Sequence, residues 1–200
     1  MAAALSEFAQ NNFETASINR IIKSLGIARG SVYQYFEDKV DLWLFLKTYA
    51  ENLKLAYIQR VKREDYPDFW SYYEAVYASG IDFHIEQPEA SSFLYRVGFW
   101  EHSKAVRPYL NDWNEKAEQI LTQWVLAERD AGTFGTSIST EMTVHFLRTM
   151  SQSVAELIQK KTGIDFGSKL KAGEPIIAQK RAEISEAIHE LVVLMKRSLG

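Results

Sequence analysis

The stretch from Ser17 to Lys39 constrains the fold more than any other part of this chain. It reads SINRIIKSLGIARGSVYQYFEDK, with Ser17 placed where a residue of its type favours the start of a helix. Gly26 supplies the left-handed backbone conformation that ends a helix. Val32 and Phe36 then lie four residues apart, as on the inner face of a second helix. The pattern predicts two short helices joined by a tight turn, the helix-turn-helix layout.

The apolar residues of this stretch are expected to pack into one core. The inner face predicted for the first helix consists of Ile18, Ile21, Ile22 and Leu25. Ile27 follows the turn and is expected to fold it back onto the same core. The flanks of the second helix carry polar side chains that the core does not require, so we expect them to face outward.

The local charge of this stretch differs from that of the whole chain. Between Thr15 and Phe36 the charged residues are Arg20, Lys23 and Arg29, with no acid, although the 200 residues carry a net charge of −3. A local positive surface suits contact with phosphates, and nearby hydroxyl and amide groups can donate to the DNA backbone or to base edges. The alternative is an ordinary helical hairpin with a hydrated outer face.

The run FETASINRIIKSLGIARGSVYQYFEDKVDLW resembles the DNA-binding module of TetR/AcrR-type transcriptional regulators. The most specific part runs from Gly26 to Phe36 and continues with Lys39 and Leu42. The usual family form there is Gly-Val-x-x-Gly-Thr-Leu-Tyr-x-His/Tyr-Phe, followed by Lys and Leu. The first helix and its turn are matched by Ala3, Ala4, Leu5, Phe8 and Phe13. The resemblance covers about the first 48 residues, and the remainder matches only in length and helical character.

The resemblance places a set of residues where the family contacts DNA. These are Ser17, Asn19, Arg29, Gly30, Ser31, Tyr33, Gln34, Tyr35 and Lys39. The planar guanidinium of Arg29 fits the O6/N7 pair of guanine, and Gln34 has the amide that can read adenine. Hydroxyl groups and the ammonium of Lys39 suit phosphate contacts, while Gly30 allows a close approach to the DNA backbone.

Helical periodicity continues through the chain and predicts an all-α protein of about nine helices. They are predicted at 1–10, 17–25, 28–36, 40–63, 67–87, 90–101, 109–130, 139–161 and 176–199. The glycine-containing stretch from Thr162 to Pro175 predicts a surface loop. We expect a helix-turn-helix DNA-binding domain at 1–48 and a larger helical domain for ligand binding and dimerisation at 49–200.

Aromatic residues are abundant in the predicted larger domain, and two further sets of residues follow from its pattern. A pocket for an apolar or aromatic compound is predicted from Tyr73, Tyr77, Phe93, Trp100, Trp113 and Phe146. A dimer interface is predicted from apolar stripes on the last two long helices, at Val154, Ile158, Ile184, Ile188, Leu191 and Met195. For both sets the alternative is that the side chains belong to the core of the protomer.

Several classes of function lack support in the sequence. The chain has no cysteine, which excludes disulfides and thiolate metal sites. It also has no glycine-rich phosphate loop and no nucleophile or metalloprotease motif, so we expect neither catalysis, nor a cofactor, nor a metal ion. No apolar run approaches the length of a transmembrane helix and the first ten residues do not resemble a signal peptide, so a cytoplasmic location is predicted.

The resemblance therefore implies a ligand-responsive transcriptional regulator. We expect a homodimer that binds a palindromic DNA operator, acts as a repressor, and is released by a small apolar or aromatic effector. The alternative is a dimeric helical scaffold or adaptor that does not bind DNA sequence-specifically. Operator binding with a steep salt dependence separates the two.

Overall fold

The computed structural model describes residues 1–164 and 176–199, apart from the side chains of Asp112 and Trp113. These residues form ten α-helices, two short 3-10 turns and no strand. The helices are α1 (Ala2–Gln10), α2 (Ile18–Leu25), α3 (Arg29–Tyr33), α4 (Lys39–Gln59), α5 (Phe69–Glu86), α6 (Pro88–Phe99), α7 (Asp112–Asp130), α8 (Thr140–Thr162), α9 (Ile176–Gln179) and α10 (Arg181–Leu199). The predicted all-α fold is confirmed.

Three details differ from the predicted helices. The second helix of the helix-turn-helix, predicted at 28–36, spans only Arg29–Tyr33. The helix predicted at 176–199 is interrupted at Lys180, which separates α9 from α10 and raises the number of helices among the described residues to ten. The long helix predicted at 40–63 ends at Gln59, and residues Arg63–Asp65 form a 3-10 turn instead. The loop predicted up to Pro175 lies outside the described residues from position 165 onward.

The helix-turn-helix is built by the capping residues that the sequence predicts. The side chain of Ser17 accepts a hydrogen bond from the backbone N–H of Arg20 and so caps the first turn of α2. Gly26 ends α2 in the left-handed conformation, with φ 63° and ψ 24°, and its N–H bonds back to carbonyls of that helix. Ala28 is extended, and α3 begins directly after it.

The chain divides into two compact units by its internal contacts. The first contains Met1–Ala56 and Phe83–Asn111, and the second contains Tyr57–Asp82 together with 112–164 and 176–199 of the described chain. Residues 83–111 thus pack with the amino-terminal helices. The domain boundary predicted at residue 48 separates functions, whereas the two units described here are defined by contacts. That boundary therefore stays a prediction.

The first unit is organised around the packing of α1 on α6. Phe8 of α1, Phe93 of α6 and Trp43 of α4 are at most 1% exposed. Their rings meet edge to face, with centroids 6.4 Å apart for Phe8 and Phe93 and 6.0 Å apart for Trp43 and Phe93. Such edge-to-face contacts stabilise aromatic clusters beyond the burial of apolar area. The structure therefore assigns Phe93, predicted as a pocket residue, to this core.

Polar bonds fix the turn between α1 and α2 against the end of α6. The guanidinium Nε of Arg96 donates to the carbonyl of Ala9 at 2.6 Å. The carboxylate of Glu101, which is 4% exposed, accepts bonds from the backbone N–H groups of Phe13 at 2.7 Å and Ser103 at 2.9 Å. A buried carboxylate requires such donors, because an uncompensated charge is costly in an apolar interior. The turn that leads into α2 is therefore held by groups far away in sequence.

Further polar groups lie inside the first unit. The Nζ of Lys47 lies 2.6 Å from a carboxylate oxygen of Glu51, and the two side chains are only 4% and 8% exposed. The ring of His84 bonds the hydroxyl of Ser91 at 2.5 Å. Desolvation, and secondarily the charge of Lys54, lowers the pKa of His84 to about 3. This histidine is therefore neutral in the folded protein near pH 7.

The second unit has its own aromatic core at the start of α5. Phe69, which is fully buried, stacks on Tyr73 with centroids 5.2 Å apart and meets the edge of Phe134 at 4.9 Å. Helix α8 packs against both α7 and α10. Arg63 and Glu128 form a salt bridge within this unit, with the Nε and Oε1 atoms 2.6 Å apart.

The second-unit core also contains most of the residues predicted for dimerisation. Ile158, Ile184, Ile188, Leu191 and Met195 are each at most 8% exposed, and only Val154 is half-buried. Because these side chains are already buried within one protomer, they cannot form the surface that a second copy would contact. This corrects the predicted interface: the stripes on α8 and α10 serve the protomer's own core.

The two glycines of the helix-turn-helix yield a paired prediction about stability. Replacing Gly26 by Ala should lower the free energy of unfolding by about 1–2 kcal/mol, because a side chain disfavours the left-handed conformation at this position. Replacing Gly30 by Ala should raise it by roughly 0.5–1 kcal/mol, because Gly30 is helical and nothing lies within 4 Å of an added Cβ. Urea denaturation of both variants measures the difference, and shifts of the same sign would contradict this local geometry.

Candidate nucleic-acid interface

The nine residues predicted to contact DNA all lie at the surface of the first unit. Helix α3 buries none of its side chains, and Tyr33 and Tyr35 are 43% and 79% exposed. Asn19, Arg29, Gly30, Ser31 and Gln34 are likewise exposed, while Ser17 and Lys39 are half-buried. Such exposure of aromatic side chains is costly unless a partner covers them, so this face has the character of a contact surface.

An open depression of about 320 Å³ brings part of this set together. It is lined by Ala16, Ser17, Ile18, Asn19, Tyr33, Glu37, Asp38 and Lys39. The N-cap of α2, the outer face of α3 and the start of α4 therefore meet in one place. Two acids in the lining, Glu37 and Asp38, offset part of the positive charge there. They follow Phe36, so the stretch used for the charge prediction did not contain them.

Arg29 and Tyr33 interact with each other on the outer face of α3. The guanidinium carbon of Arg29 lies 5.5 Å from the centroid of the Tyr33 ring. The two residues are four positions apart and so lie on the same side of the helix. A cation–π contact at this distance restricts the guanidinium, while the Arg29 side chain stays exposed to solvent. The geometry suits a residue that reads a base edge.

Lys39 has a structural role that the sequence analysis did not anticipate. Its Nζ donates to the backbone carbonyls of Glu14 at 3.3 Å and Ala16 at 3.2 Å. The same ammonium lies 4.6 Å from the centroid of the Phe13 ring. The predicted phosphate contact would thus come from a group that also holds the start of α4 against the turn before α2.

Two residues expected in the core lie at the surface instead. Leu25 is 49% exposed and Ile27 is 40% exposed, whereas Ile18 and Ile21 are buried. Helix α2 packs on α1, and the buried side chains come from its first half, so the last turn extends beyond the packed region. The prediction that Ile27 folds the turn back onto the core is therefore wrong.

Glu7 is a residue of this surface that the sequence analysis missed. One of its carboxylate oxygens accepts a bond from the backbone N–H of Ser17 at 2.8 Å and lies 2.6 Å from the Nη2 of Arg20. Hydrogen bonding to Glu7 raises the pKa of Arg20, which therefore stays protonated. No pattern predicts this contact, because Glu7 lies on a different helix, and only the packing of α1 on α2 brings the groups together.

The remaining residues predicted for an effector pocket do not form one cluster within either unit. Tyr73, Tyr77 and Phe146 belong to the second unit, whereas Trp100 belongs to the first and is 39% exposed. The side chain of Trp113 lies outside the described part of the chain. Any effector site in the second unit is therefore limited to the first three of these residues and their neighbours.

Tyr73 and Tyr77 share a polar partner inside that unit. Their hydroxyl groups lie 2.7 Å and 2.8 Å from the hydroxyl of Ser151 on α8, and Ser151 in turn donates to the carbonyl of Leu147. Burial raises the pKa of both tyrosines, so both remain neutral near pH 7. A cluster of neutral hydroxyls beside aromatic rings suits hydrogen bonding to an uncharged ligand.

In residues 1–164 and 176–199, no three histidine or acidic side chains come together so as to hold a metal ion. Within the same ranges, no helix combines the length and the apolar character required to span a membrane.

The fold and the exposed face of α3 define a class of protein, a helical protein with a helix-turn-helix domain of the DNA-binding type. Residues 1–44 match the sequence model described as "Bacterial regulatory proteins, tetR family". The predicted resemblance of the amino-terminal residues to this family is therefore confirmed. A curated HTH-type transcriptional regulator of Staphylococcus aureus strain USA300 is 32% identical over 72 residues. That match covers 36% of this chain and 37% of the relative, so the chain spans little more than a third of the relative's length.

Solved structures extend the likeness to the whole fold. A TetR family transcriptional regulator from Chloroflexus aurantiacus J-10-FL has a TM-score of 0.77 at 23% identity, covering 98% of this chain and 89% of its own. A bacterial regulatory protein of the tetR family from Rhodococcus RHA1 has a TM-score of 0.58 at 16% identity, covering 96% and 93%. At these identities the likeness concerns the fold alone.

The structural role of Lys39 can be measured in the absence of DNA. Replacing Lys39 by Ala should lower the free energy of unfolding by about 1 kcal/mol, because two carbonyls and the Phe13 ring lose their cation. Replacing Lys23, an exposed lysine of α2, by Ala is the matched control and should change stability by less than about 0.5 kcal/mol. Equal stabilities of the two variants in denaturant titrations would exclude the structural role of Lys39.

Proposed function

We propose that this protein is a DNA-binding transcriptional regulator that binds a palindromic operator as a homodimer. We propose further that it acts as a repressor and is released by a small apolar or aromatic effector. Such a regulator acts without catalysis, and its target implies a cytoplasmic location. The alternative of a helical scaffold is less well supported, because it gives no role to the exposed side chains of α3.

The observation that carries the proposal is the outward face of α3 within a tetR-family domain. Arg29 and Tyr33 are exposed on a helix that has no fully buried side chain, and Gln34 is exposed directly after it. All three residues lie within the family match at residues 1–44. In helix-turn-helix proteins the second helix enters the major groove, where base edges are distinguishable. Arg29 has the donor geometry for guanine, and the hydroxyls of Ser17, Tyr33 and Tyr35 suit the sugar-phosphate backbone.

The short recognition helix supports action as a dimer. Helix α3 spans only the five residues Arg29–Tyr33, so a single copy makes few contacts with base edges. Two copies related by a two-fold axis double the footprint, and a palindromic site provides the matching symmetry. Because the predicted stripes are buried, the contact between copies must use exposed faces, and Leu194 of α10, which is 61% exposed, is an apolar candidate.

The helix α4 supports a response to an effector. It runs without a break from Lys39, beside α3, to Gln59, and so continues from the first unit into the second. An effector held in the second unit near Tyr73, Tyr77 and Phe146 would favour one orientation of this helix, and a tilt would misalign two α3 helices with successive grooves. The fold also occurs, at a TM-score of 0.50, in a protein described as a gamma-butyrolactone receptor.

A coupling of ~1–3 kcal/mol between the two sites would change operator affinity ~5–150-fold, which is enough for a switch. A library of apolar and aromatic compounds can be screened by thermal shift of the protein, and each hit titrated against the operator complex. A compound that binds at the Tyr73–Tyr77 hydroxyls but leaves operator affinity unchanged at saturation would exclude this mechanism.

The DNA-binding role is tested by selecting bound fragments from random genomic DNA and then measuring affinity for the recovered sequence. Replacing Arg29 by Ala should weaken cognate binding by ~1–3 kcal/mol and relax the preference at one base pair. Replacing Lys116, an exposed lysine of α7 in the second unit, by Ala is the control for charge and should leave affinity unchanged.

Fluorescence anisotropy with every single-base variant of the selected site provides the measurement. The expected pattern is a loss of discrimination at one position in each half-site, with discrimination kept elsewhere. If no palindrome is enriched, or if the Arg29 variant keeps the full specificity profile, α3 is not the reading helix.

A further inference from the structure

Arg20 is fixed in its orientation by more bonds than any other cation of α2 and α3. Its Nε donates to both carboxylate oxygens of Glu7, at 3.0 Å and 3.2 Å. Its Nη2 donates to Glu7 at 2.6 Å and to the backbone carbonyl of Thr15 at 2.6 Å. These bonds occupy three of the five N–H groups of the guanidinium and define the plane in which it lies.

The other edge of the same guanidinium points away from these partners. Nη1 carries the remaining two N–H groups, and nothing in 1–164 or 176–199 accepts a hydrogen bond from them. The side chain of Arg20 is 55% exposed, whereas that of Glu7 is only 12% exposed. The carboxylate of Glu7 is therefore largely shielded from solvent and orients the guanidinium of Arg20, whereas Arg20 itself faces solvent.

The position of this pair relates it to the proposed DNA contacts. The Oε1 of Glu7, which accepts from both the Nε and the Nη2 of Arg20, also accepts from the backbone N–H of Ser17, the N-cap of α2. Ser17 and Asn19 belong to the lining of the surface depression shared with Tyr33 and Lys39. Because Arg20 shares this Glu7 oxygen with the backbone N–H of Ser17, its charge lies beside the start of α2, which lines the depression.

We propose that Arg20 binds a backbone phosphate of the DNA and that Glu7 is the positioning residue that holds its guanidinium for this contact. The ligand is a phosphodiester oxygen, which can accept a charge-assisted hydrogen bond from one of the two free N–H groups of Nη1. The contact does not depend on base sequence, so it contributes affinity and register rather than specificity. The inference rests on the proposed DNA-binding function. It assigns a specific contact to one cation of the positive stretch and a positioning role to Glu7, which neither the resemblance nor the charge pattern had identified.

A purely structural ion pair predicts a different outcome for one substitution. If Glu7 only joins α1 to α2, its effect on DNA binding is that of a nearby negative charge, and Glu7→Gln should tighten binding by removing repulsion from phosphates. If Glu7 positions Arg20, the same substitution should weaken binding, because the guanidinium is released from its fixed plane. The sign of the change therefore separates the two roles.

The experiment measures affinity for a random-sequence duplex and for the selected palindrome over a range of salt concentrations. Arg20→Gln should weaken binding to both about tenfold, the effect of losing one charge-assisted contact. It should also reduce the slope of log K against log salt by about 0.9, the contribution of one phosphate. Arg20→Lys keeps the charge but lacks the planar fork, so it should keep the slope while losing affinity.

Glu37→Gln is the matched control for charge. Glu37 is an exposed acid that lines the surface depression, and its removal should tighten binding slightly, whereas Glu7→Gln should weaken binding several-fold. In the double variant of Glu7→Gln with Arg20→Gln, the effect of the Glu7 substitution should disappear. Thermal unfolding of every variant separates loss of contact from loss of fold, and Arg20→Lys retains the test if Arg20→Gln unfolds.

Three outcomes would overturn the inference: an unchanged salt slope for Arg20→Gln, tighter binding for Glu7→Gln, or equal effects of Glu7→Gln with and without Arg20. The random duplex separates this failure from failure of the proposed function. A wild-type protein that binds the random duplex with an Arg20-dependent slope, but enriches no palindrome, would keep the phosphate contact and exclude sequence-specific regulation. If the palindrome is bound with an affinity and a salt slope that do not depend on Arg20, the phosphate contact is excluded and the proposed regulatory function is kept.

Discussion

The packing of α1 against α6 is the interaction on which the rest of the first unit depends. Phe8 and Phe93 meet in a fully buried aromatic core, and the buried carboxylate of Glu101 holds the backbone of Phe13 in the turn that follows α1. A helix as short as α3 cannot stabilise itself in water, because helix nucleation is costly and its side chains bury little. The position of α3 therefore depends on the contacts that fix α1 and the turn before α2.

Around this core the charged groups serve two purposes. Glu7 and Lys39 bind backbone groups of the turn before α2 from either side, Glu7 through the N–H of Ser17 and Lys39 through the carbonyls of Glu14 and Ala16. Arg20 and Arg29 are each restrained on one side, by a carboxylate and by an aromatic ring, and face solvent on the other. Restraint of this kind lowers the entropy lost when a ligand is bound, which is how a surface is pre-organised for a charged partner.

The local parts of the fold were predictable because their causes lie close together in the sequence. Ser17 and Gly26 cap α2 through bonds to backbone groups a few residues away, and the structure shows both caps at the predicted positions. The exposure of Leu25 and Ile27 was not predictable in the same way, because helical periodicity identifies an apolar face but not the point at which packing against another helix ends. Periodicity also could not assign the apolar stripes on α8 and α10, because such stripes fit a dimer interface and a protomer core equally well. Only the burial of their side chains in the structure distinguishes the two.

The sequence by itself determined an all-helical chain with a helix-turn-helix near its start and the polar residues of α3 on the outside, since caps, glycine conformation and periodicity act over a few residues. Only the tertiary structure decided which charges meet. Glu7 and Arg20 are 13 residues apart and Phe13 and Glu101 are 88 apart, and no periodic pattern relates them. Their contacts arise because burying apolar faces of separate helices brings distant polar groups together, and an acid near the interior then requires the nearest available donor.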